Sequence, residues 1–371
     1  MNTINKIIST PKYDMPLKGL YTIQKRISSF KGIHRTIHKK KKLRTLKVIQ
    51  KEKGPLSESL KKQCDDYAIK TLGSIKYAPE LYVYTALNGK FKEGWIPETY
   101  YTDQVRNLDG VFGFQGDMKA LSNRVLDTDK LPDLLYIQNE IFIEPKGYKV
   151  ISDNNVINIL FKESDKVIFK SNNSMQGIGI GIGIKIYDKH LFDLQVVKGN
   201  SGVFQKIINQ HSFFDNIFPH PGATIRITTA LDFEGNSTVR GAYLRLGRSH
   251  NDIESTHVKS SDAIKVAIDL ETSKLFNTGY LADMSSTHVH PDTGVSFRNL
   301  VVPAFEEACV IVEQLHQRYP FVRCIGWDIS INREEQIEIM EWNTGNNAIS
   351  FHEAMNGPCF KDFLKSTDKN T

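Results

Sequence analysis

Two alternating segments near the C-terminal end constrain the fold of this chain more than any other feature. Large apolar residues alternate with small or polar ones in Cys324–Ile331, and a similar pattern returns in Ile337–Asn343 after a polar turn. Because successive side chains of a strand point to opposite faces, the two segments are predicted to form an antiparallel hairpin. Asp328 lies on the polar face of the first strand, and Glu341 and Asn343 share one face of the second.

Such a hairpin can bring Asp328 opposite Glu341 and Asn343. Two carboxylates and an amide oxygen are hard ligands, which suit Mg²⁺ shared with the phosphates of a nucleotide. The alternative interpretation is a solvent-facing edge hairpin whose acidic residues have no special role. The large apolar residues that flank all three positions favour the metal site.

The distribution of apolar residues predicts the fold class. Short runs of strand length fill most of the second half, and the segment 302–318 between them has the apolar stripe of an amphipathic helix. Strands and helices do not alternate regularly, which predicts an α+β fold rather than a doubly wound parallel sheet. Four consecutive parts are predicted, namely a basic, mainly helical region over 1–93 and further parts over 94–165, 166–222 and 223–371.

The positive charge of the chain is concentrated at its start. The formal net charge is +6, but residues 1–54 contain 15 Lys and Arg against two acidic residues, so a basic arm precedes a body with 33 basic and 40 acidic residues. No apolar run reaches the roughly 18 residues of a membrane-spanning helix, and the start lacks the pattern of a secretory signal. The four cysteines are far apart, as is typical of reduced thiols. Together these features predict a cytoplasmic protein.

Lys170 ends a short apolar strand and opens a polar loop over 171–177, after which isoleucine and glycine alternate to Gly183. A lysine beside a loop of small residues can bind phosphate, with its ammonium as a point charge and the loop amides as donors. The alternative is a glycine-rich strand that ends in a flexible turn, and these residues alone favour that alternative. Neither the P-loop pattern nor the Rossmann glycine fingerprint is present.

Arginines lie within two apolar segments, 224–231 and 239–248, that flank a turn and predict a second hairpin. Arginines in such a setting more often bind a carboxylate or phosphate than stay unpaired, because an unpaired buried charge is costly. They are Arg226, Arg240, Arg245 and Arg248. Arg240 and Arg245 have opposite parity, so the four cannot face one site without a β-bulge.

The order of these segments resembles that of the ATP-grasp superfamily, and most closely its sugar-transfer-associated branch, over residues 94–346. A lysine strand with its loop comes first, followed by a hinge strand, the arginine strands and the closing hairpin. The resemblance lies in segments 204–208, 210–211, 224–226, 243–248, 268–272, 290–294, 326–329 and 341–343. It implies an ATP-grasp fold, in which two α/β subdomains with antiparallel sheets clasp ATP, preceded here by the basic helical segment.

The resemblance also implies which residues contact the nucleotide. Lys170 would bind the phosphates beneath a flap that contains Ser174 and Gly177, and Arg245 would steady the transferred phosphoryl group. Lys170 and Arg245 are therefore the expected catalytic residues. The hinge that contacts adenine is expected to consist of Gln205, Lys206 and Ile207.

Metal and substrate residues follow from the same resemblance. The expected Mg²⁺ ligands are Asp328, Glu341 and Asn343, and the expected substrate-binding residues are Arg226, Arg248 and His290. The family's upstream serine-aspartate-lysine motif is replaced by residues 121–124, Leu-Ser-Asn-Arg, so Arg124 is expected to take the place of the nucleotide-binding lysine.

These assignments imply an ATP-dependent carboxylate–amine ligase that forms an amide through an acyl phosphate, with ATP and Mg²⁺ as cofactors. The expected substrates are a small-molecule or lipid-linked sugar acid or amino acid and an amine, in surface-polysaccharide biosynthesis. A nucleotide-binding partner without turnover in a glycan-assembly complex is the alternative, because Arg124 and the flap residues Met175 and Gln176 depart from the family pattern.

The basic arm over 1–54 lies outside the resemblance. It could tether the protein to the anionic inner face of a membrane, where each basic residue contributes about 1 kcal/mol. An acidic glycan or an acidic partner protein would serve equally well. Nucleic-acid binding is disfavoured, because no aromatic residues are interleaved with the lysines to form a reading surface.

Overall fold

The computed structural model describes residues 36–172, 184–219, 223–248, 263–345, 347 and 349–364. A group of helices that share one apolar core forms its N-terminal part. These are α1 over residues 36–53, α2 (Glu58–Lys70), α3 (Ala78–Asn88) and α4 (Glu98–Gln104). The hydroxyl of Ser57 caps α2 by accepting a hydrogen bond from the backbone N–H of Leu60, and Gly89 ends α3 with a φ of 70°. A 3-10 segment over Arg106–Asp117 and the short helix α5 (Ser122–Leu126) lead to the first sheet.

The first sheet has six strands, and each neighbouring pair is antiparallel. The strands are β1 (Asp133–Gln138), β2 (Ile141–Ile143), β3 (Val150–Ile151), β4 (Lys166–Ser171), β5 (Ile184–Asp188) and β6 (Gly202–Lys206), in the spatial order β3-β2-β1-β6-β4-β5. Helices α6 (Asp153–Leu160) and α7 (Leu194–Lys198) contribute to its core, where Phe169 and Phe204 are fully buried. Helix α8 (Ser212–Ile217) leads on to the second sheet.

The second sheet has seven strands in the order β11-β10-β9-β8-β7-β12-β13, again antiparallel throughout. They are β7 (Thr224–Leu231), β8 (Ser237–Leu246), β9 (Ile264–Ile268), β10 (Leu275–Tyr280), β11 (Ser286–Thr287), β12 (Cys324–Ile331) and β13 (Ile337–Asn343). Helix α9 (Phe305–Arg318) packs on one face, where Ile227, Val312 and Trp327 are fully buried. The apolar half of each alternating strand therefore faces α9.

The opposite face of this sheet is polar and only partly covered. Helix α10 (Ser350–Asn356) packs there, and its Phe351 shares a core with Tyr243, Cys324 and the N-terminal helices. At the other end of this face the first sheet approaches, since Nζ of Lys170 donates to the carbonyl oxygen of Met340. A cleft between the two sheets results.

The α+β class predicted from the alternating strands is confirmed, and the predicted strands 224–231 and 324–331 have the same bounds in the structure. Helix α9 begins three residues later than predicted, because Ala304 has a left-handed φ of 47° that a right-handed helix does not include. The basic arm before residue 36 and most of the isoleucine–glycine stretch lie outside the described residues. None of the described helices is both long and apolar enough to cross a membrane.

Candidate functional site

The predicted C-terminal hairpin forms, and its register brings the three expected metal ligands to one face. Asp328 on β12 pairs with Glu341 on β13, and Gly326 pairs with Asn343. A β-bulge follows Asp328. Nδ2 of Asn343 lies 3.4 Å from Oδ2 of Asp328, so the amide and the carboxylate are in contact.

Asp328 is the centre of an ion-pair network with two arginines of the neighbouring strands. Nε and Nη2 of Arg226 donate to its two carboxylate oxygens at 2.7 and 2.8 Å, and Nη2 of Arg245 donates to Oδ1 at 3.1 Å. All three side chains are buried. Burial acts to lower the pKa of Arg226, but the Asp328 carboxylate holds that pKa above its usual value. The network pairs charges that would be costly to bury singly.

Glu341 lies beside two lysines from distant parts of the chain. Nζ of Lys119 is 2.8 Å from Oε1 of Glu341, and Lys170 on β4 reaches the carbonyl oxygen of Met340 at 3.0 Å. Burial acts to raise the pKa of Glu341, but the two ammonium groups outweigh it and hold that pKa below its usual value. Burial also lowers the pKa of Lys170, although the Glu341 carboxylate opposes this.

Sequence reasoning selects Arg124 as the upstream cation and misses Lys119. Arg124 is exposed, with its guanidinium 5.9 Å from the centre of the Tyr148 ring, and its backbone N–H donates to the Tyr148 hydroxyl. Lys119 is buried and contacts Glu341 directly. The structure therefore places Lys119, rather than Arg124, in the carboxylate cluster.

A close backbone approach holds the segment that carries Lys119. The N–H of Gly116 donates to the hydroxyl of Thr344 at 3.1 Å, and this hydroxyl donates to the carbonyl oxygen of Gly113 at 2.9 Å. A Cβ atom at Gly116 would lie 2.4 Å from the carbonyl oxygen of Trp342, so only glycine fits there. The regular spacing of Gly113 and Gly116 is the sequence feature that could have indicated a close contact of this segment with the hairpin.

The expected adenine hinge lines a cavity of about 230 Å³ between the sheets. Nε2 of Gln205 donates to Oδ1 of Asp133 at 2.7 Å, and Nζ of Lys206 lies 2.6 Å from Oε1 of Glu338 on β13. Ile207 is exposed at this cavity. Its other large apolar wall residues are Ile168, Ile208 and Met340. The cavity is thus apolar in part and bounded by both sheets.

Two of the expected substrate residues have partners outside the carboxylate cluster. Nε and Nη2 of Arg248 both donate to the carboxylate of Asp292 at 2.9 Å. The fully buried His290 has its Nε2 2.9 Å from the carbonyl oxygen of Gly247, accepts the backbone N–H of Asp292 at Nδ1, and stacks on Phe218. Burial lowers the pKa of His290. The structure thus uses both ring nitrogens to fix a loop, and neither residue makes a described contact with the carboxylate cluster.

Three further residues complete the account of the predicted positions. Arg240 lies at a β-bulge in the pairing of β7 with β8, and its guanidinium pairs with Asp362 at 2.7 Å instead of joining Arg245. Because of the bulge, the simple alternation of side chains along β8 does not determine the direction of Arg240. Ser174 and Gly177, the expected flap residues, lie outside the described residues.

The cluster combines hard oxygen ligands with four cationic side chains. Within the described ranges no three His, Cys, Asp or Glu side chains group as a metal site. The two carboxylates here lie beside the amide of Asn343, whose Nδ2 contacts Asp328, and an amide oxygen is a ligand that Mg²⁺ also accepts. The cations around them are Lys119, Lys170, Arg226 and Arg245. Asp133 and Asp117 also act on these lysines, so four carboxylates oppose the four cations, and a polyphosphate would bind together with Mg²⁺.

The fold has low overall similarity to several solved structures. A biotin carboxylase from Campylobacter jejuni crystallised with a β,γ-ATP analogue aligns at 11% identity over 87% of this chain and 68% of its own, with a TM-score of 0.43. The biotin carboxylase domain of the 2-oxoglutarate carboxylase of Hydrogenobacter thermophilus, crystallised with MgADP, ADP and bicarbonate, aligns at 12% identity over 67% of this chain and 45% of its own, with a TM-score of 0.39. The chain therefore spans about half the length of that domain.

D-alanyl-alanine synthetase A of Vibrio cholerae aligns at 12% identity over 68% of this chain and 64% of its own, with a TM-score of 0.38. No curated protein sequence is significantly similar to the chain. The family model described as sugar-transfer associated ATP-grasp matches residues 194–369, a range that holds the hinge, the arginine strands and the hairpin. Over this range the chain therefore resembles the sugar-transfer associated ATP-grasp family, as the order of the motifs predicts.

Proposed function

We propose that the chain is an ATP-dependent carboxylate–amine ligase. The observation that carries the proposal is the convergence of Asp328, Glu341 and Asn343 with four cationic side chains in the cleft between the sheets. Hard oxygen ligands beside these cations suit a nucleoside triphosphate and its Mg²⁺. The family match over 194–369 supports the same activity.

ATP would lie between the two sheets, with adenine in the hinge cavity of about 230 Å³ against Gln205, Lys206 and Ile207. Lys170 and Lys119 point toward Glu341 from the first sheet and from the 3-10 segment, so they are suited to bind the phosphates. Asp328, Glu341 and Asn343 would hold Mg²⁺, which when bound neutralises phosphate charge.

The chemistry needs positioning rather than a protein nucleophile. A carboxylate is a poor electrophile, but attack of its oxygen on the γ-phosphorus of ATP breaks the bond to the bridging oxygen and gives an acyl phosphate and ADP. An amine then attacks the acyl carbon, phosphate leaves, and the amine loses a proton. Arg245 and Arg226, which lie against Asp328, are suited to stabilise the negative charge of the transferred group and of the acid.

The proposed acid is a sugar acid or an amino acid, small or lipid-linked, and the proposed amine is an amine or amino acid destined for a surface glycan. The family's description as sugar-transfer associated supports this choice. The proposed place of action is the cytoplasmic side of the membrane. Arg248 and His290 stay predicted substrate residues, and a direct role for either would require it to leave its present partners.

Release of ADP and phosphate by the purified chain tests the proposal. With ATP, Mg²⁺ and pairs of uronic or amino acids with amines, we expect equal amounts of both products and dependence on both substrates. Glu341→Gln should lower turnover by roughly 100-fold, whereas Glu334→Gln in the exposed hairpin turn is the matched control and should not. Full turnover by Glu341→Gln would contradict the assignment.

Binding without turnover is the outcome that would favour the alternative, a nucleotide-binding partner in a glycan-assembly complex. That alternative depends in part on the absence of a lysine at the upstream motif. The contact between Lys119 and Glu341 supplies an ammonium in the cluster from a neighbouring position, and therefore favours the ligase.

A further inference from the structure

Large apolar side chains are exposed together on the 3-10 segment between α4 and α5. The apolar surface consists of Leu108, Val111, Phe112 and Phe114 with the neighbouring Phe321, and between 44% and 77% of each is exposed. The rings of Phe112 and Phe321 stack with their centres 4.9 Å apart, so the surface is continuous across two segments of the chain. An exposed group of this kind usually marks a binding surface.

The apolar surface is held outward by buried anchors rather than by a loose loop. The carboxylate of Asp109 is buried and accepts the backbone N–H of Arg323 at 2.9 Å, and Gly113 and Gly116 contact Thr344 on the far side. Asp109, Gly113 and Gly116 thus face the protein, while the large apolar residues of the segment face solvent.

Exposed cations lie close to the apolar surface. A cavity of about 690 Å³ is lined by Thr36 and Lys39 of α1 and by Gln104 and Asn107, which precede Leu108, together with the acidic residues Glu80, Glu98 and Asp103. The lysines that are exposed at this end of α1 are Lys39, Lys40 and Lys41. The one acidic residue between 107 and 114 is the buried Asp109, so negative charge does not interrupt the surface.

We propose that the apolar surface and the adjoining lysines bind an anionic phospholipid membrane, with the apolar side chains in the acyl boundary and the lysines at the headgroups. Protruding phenylalanine, leucine and valine beside cations fit a fluid anionic interface. A folded protein partner would instead need a matching apolar groove. The segment ends at Asp117, two residues before Lys119 of the carboxylate cluster, so membrane contact would act close to this lysine.

Vesicle sedimentation without ATP or other substrates tests the membrane contact separately from the ligase activity. We expect the full chain to sediment with phosphatidylglycerol vesicles, less with phosphatidylcholine vesicles, and the double variant V111S/F114S to bind at least about tenfold more weakly. Leu191→Ser, at a residue that is 83% exposed and does not belong to the apolar surface, is the control and should bind normally. Equal binding by the double variant and the full chain would overturn the proposal.

A second variant reports insertion directly. Trp95, Trp327 and Trp342 are buried, so the emission of a tryptophan introduced by Val111→Trp should shift to shorter wavelength on anionic vesicles, and an unchanged spectrum would contradict insertion. If deletion of residues 1–35 abolishes binding while V111S/F114S does not, the arm alone binds and the proposal fails. Concentration-dependent self-association that V111S/F114S removes, without vesicle binding, would identify a second copy of the chain as the partner and also overturn it.

Discussion

Replacement of Lys119 by methionine tests how the candidate site binds the nucleotide. The ammonium is buried and lies 2.8 Å from the Glu341 carboxylate, close to Lys170. Methionine retains an apolar stem of similar length and removes the charge. A hydrogen bond to a charged group contributes about 1.5–3 kcal/mol, so the affinity for MgATP should fall about 10- to 100-fold.

The effect on stability should be smaller than for a fully buried pair. The side chain of Glu341 is 27% exposed, so water reaches the carboxylate once Lys119 is replaced. The cost of about 3–5 kcal/mol for breaking a buried ion pair therefore does not apply in full, and we expect the free energy of unfolding to fall by about 1–2 kcal/mol. The pKa of Glu341 should rise, because the Lys119 ammonium is the nearer cation that lowers it.

Arg124→Met is the matched control for this experiment. Arg124 is exposed and touches the ring of Tyr148, so its replacement should change MgATP affinity less than about threefold. Titration calorimetry with a non-hydrolysable ATP analogue measures both affinities. Normal binding by Lys119→Met together with a large loss in Arg124→Met would refute the placement of Lys119 at the phosphates.

Two further predictions concern the segment that carries Lys119. Burial raises the pKa of Asp109 to about 6, so the native state favours the protonated carboxyl. The stability that this preference contributes is present below pH 4. It should be lost, by up to about 3 kcal/mol, as the pH rises through 6. Asp109→Asn should remove this pH dependence of the free energy of unfolding, measured by urea unfolding at pH 4 and pH 8. The same pH dependence in the variant and the original chain would exclude Asp109 as its cause. Gly116→Ala should destabilise by about 1–3 kcal/mol, because its Cβ would meet the Trp342 carbonyl oxygen at 2.4 Å. Gly113→Ala, whose Cβ would meet that of Asp109 at an ordinary 3.5 Å, is the control, and equal midpoints of urea unfolding would contradict the argument.

The hairpin could be predicted because its two strands are close together in the sequence and are joined by a short polar turn. Alternation fixes which residues of a strand share a face. Once the two strands are assumed to form a hairpin, Asp328, Glu341 and Asn343 can therefore be predicted to lie on one face. The β-bulges cannot be read in this way. One of them turns Arg240 toward Asp362, which the parity of the strand does not indicate.

The residues that were missed or have other partners depend on contacts between distant segments. Lys119 reaches Glu341 across 222 positions from a three-residue 3-10 turn, Lys119–Leu121, which is too short for a periodic pattern to identify its inner face. The partners of His290 are backbone atoms, and any sequence supplies a backbone carbonyl such as that of Gly247. A histidine that holds a loop and one that binds a substrate therefore look alike before the fold is known.

The two arginines on Asp328 have a consequence for the order in which ligands act. In the described state Arg226 and Arg245 occupy the carboxylate that a cation would need, so each ligand has to displace an internal counter-ion. A cation bound at Asp328 releases guanidinium groups for an anion, and an anion that attracts the guanidinium groups exposes Asp328 to the cation. Because such coupling is reciprocal, each should tighten the binding of the other by the same factor. In the described state the arginines and Asp328 neutralise one another's charges. The ion pairs therefore disfavour the binding of the cation alone or of the anion alone.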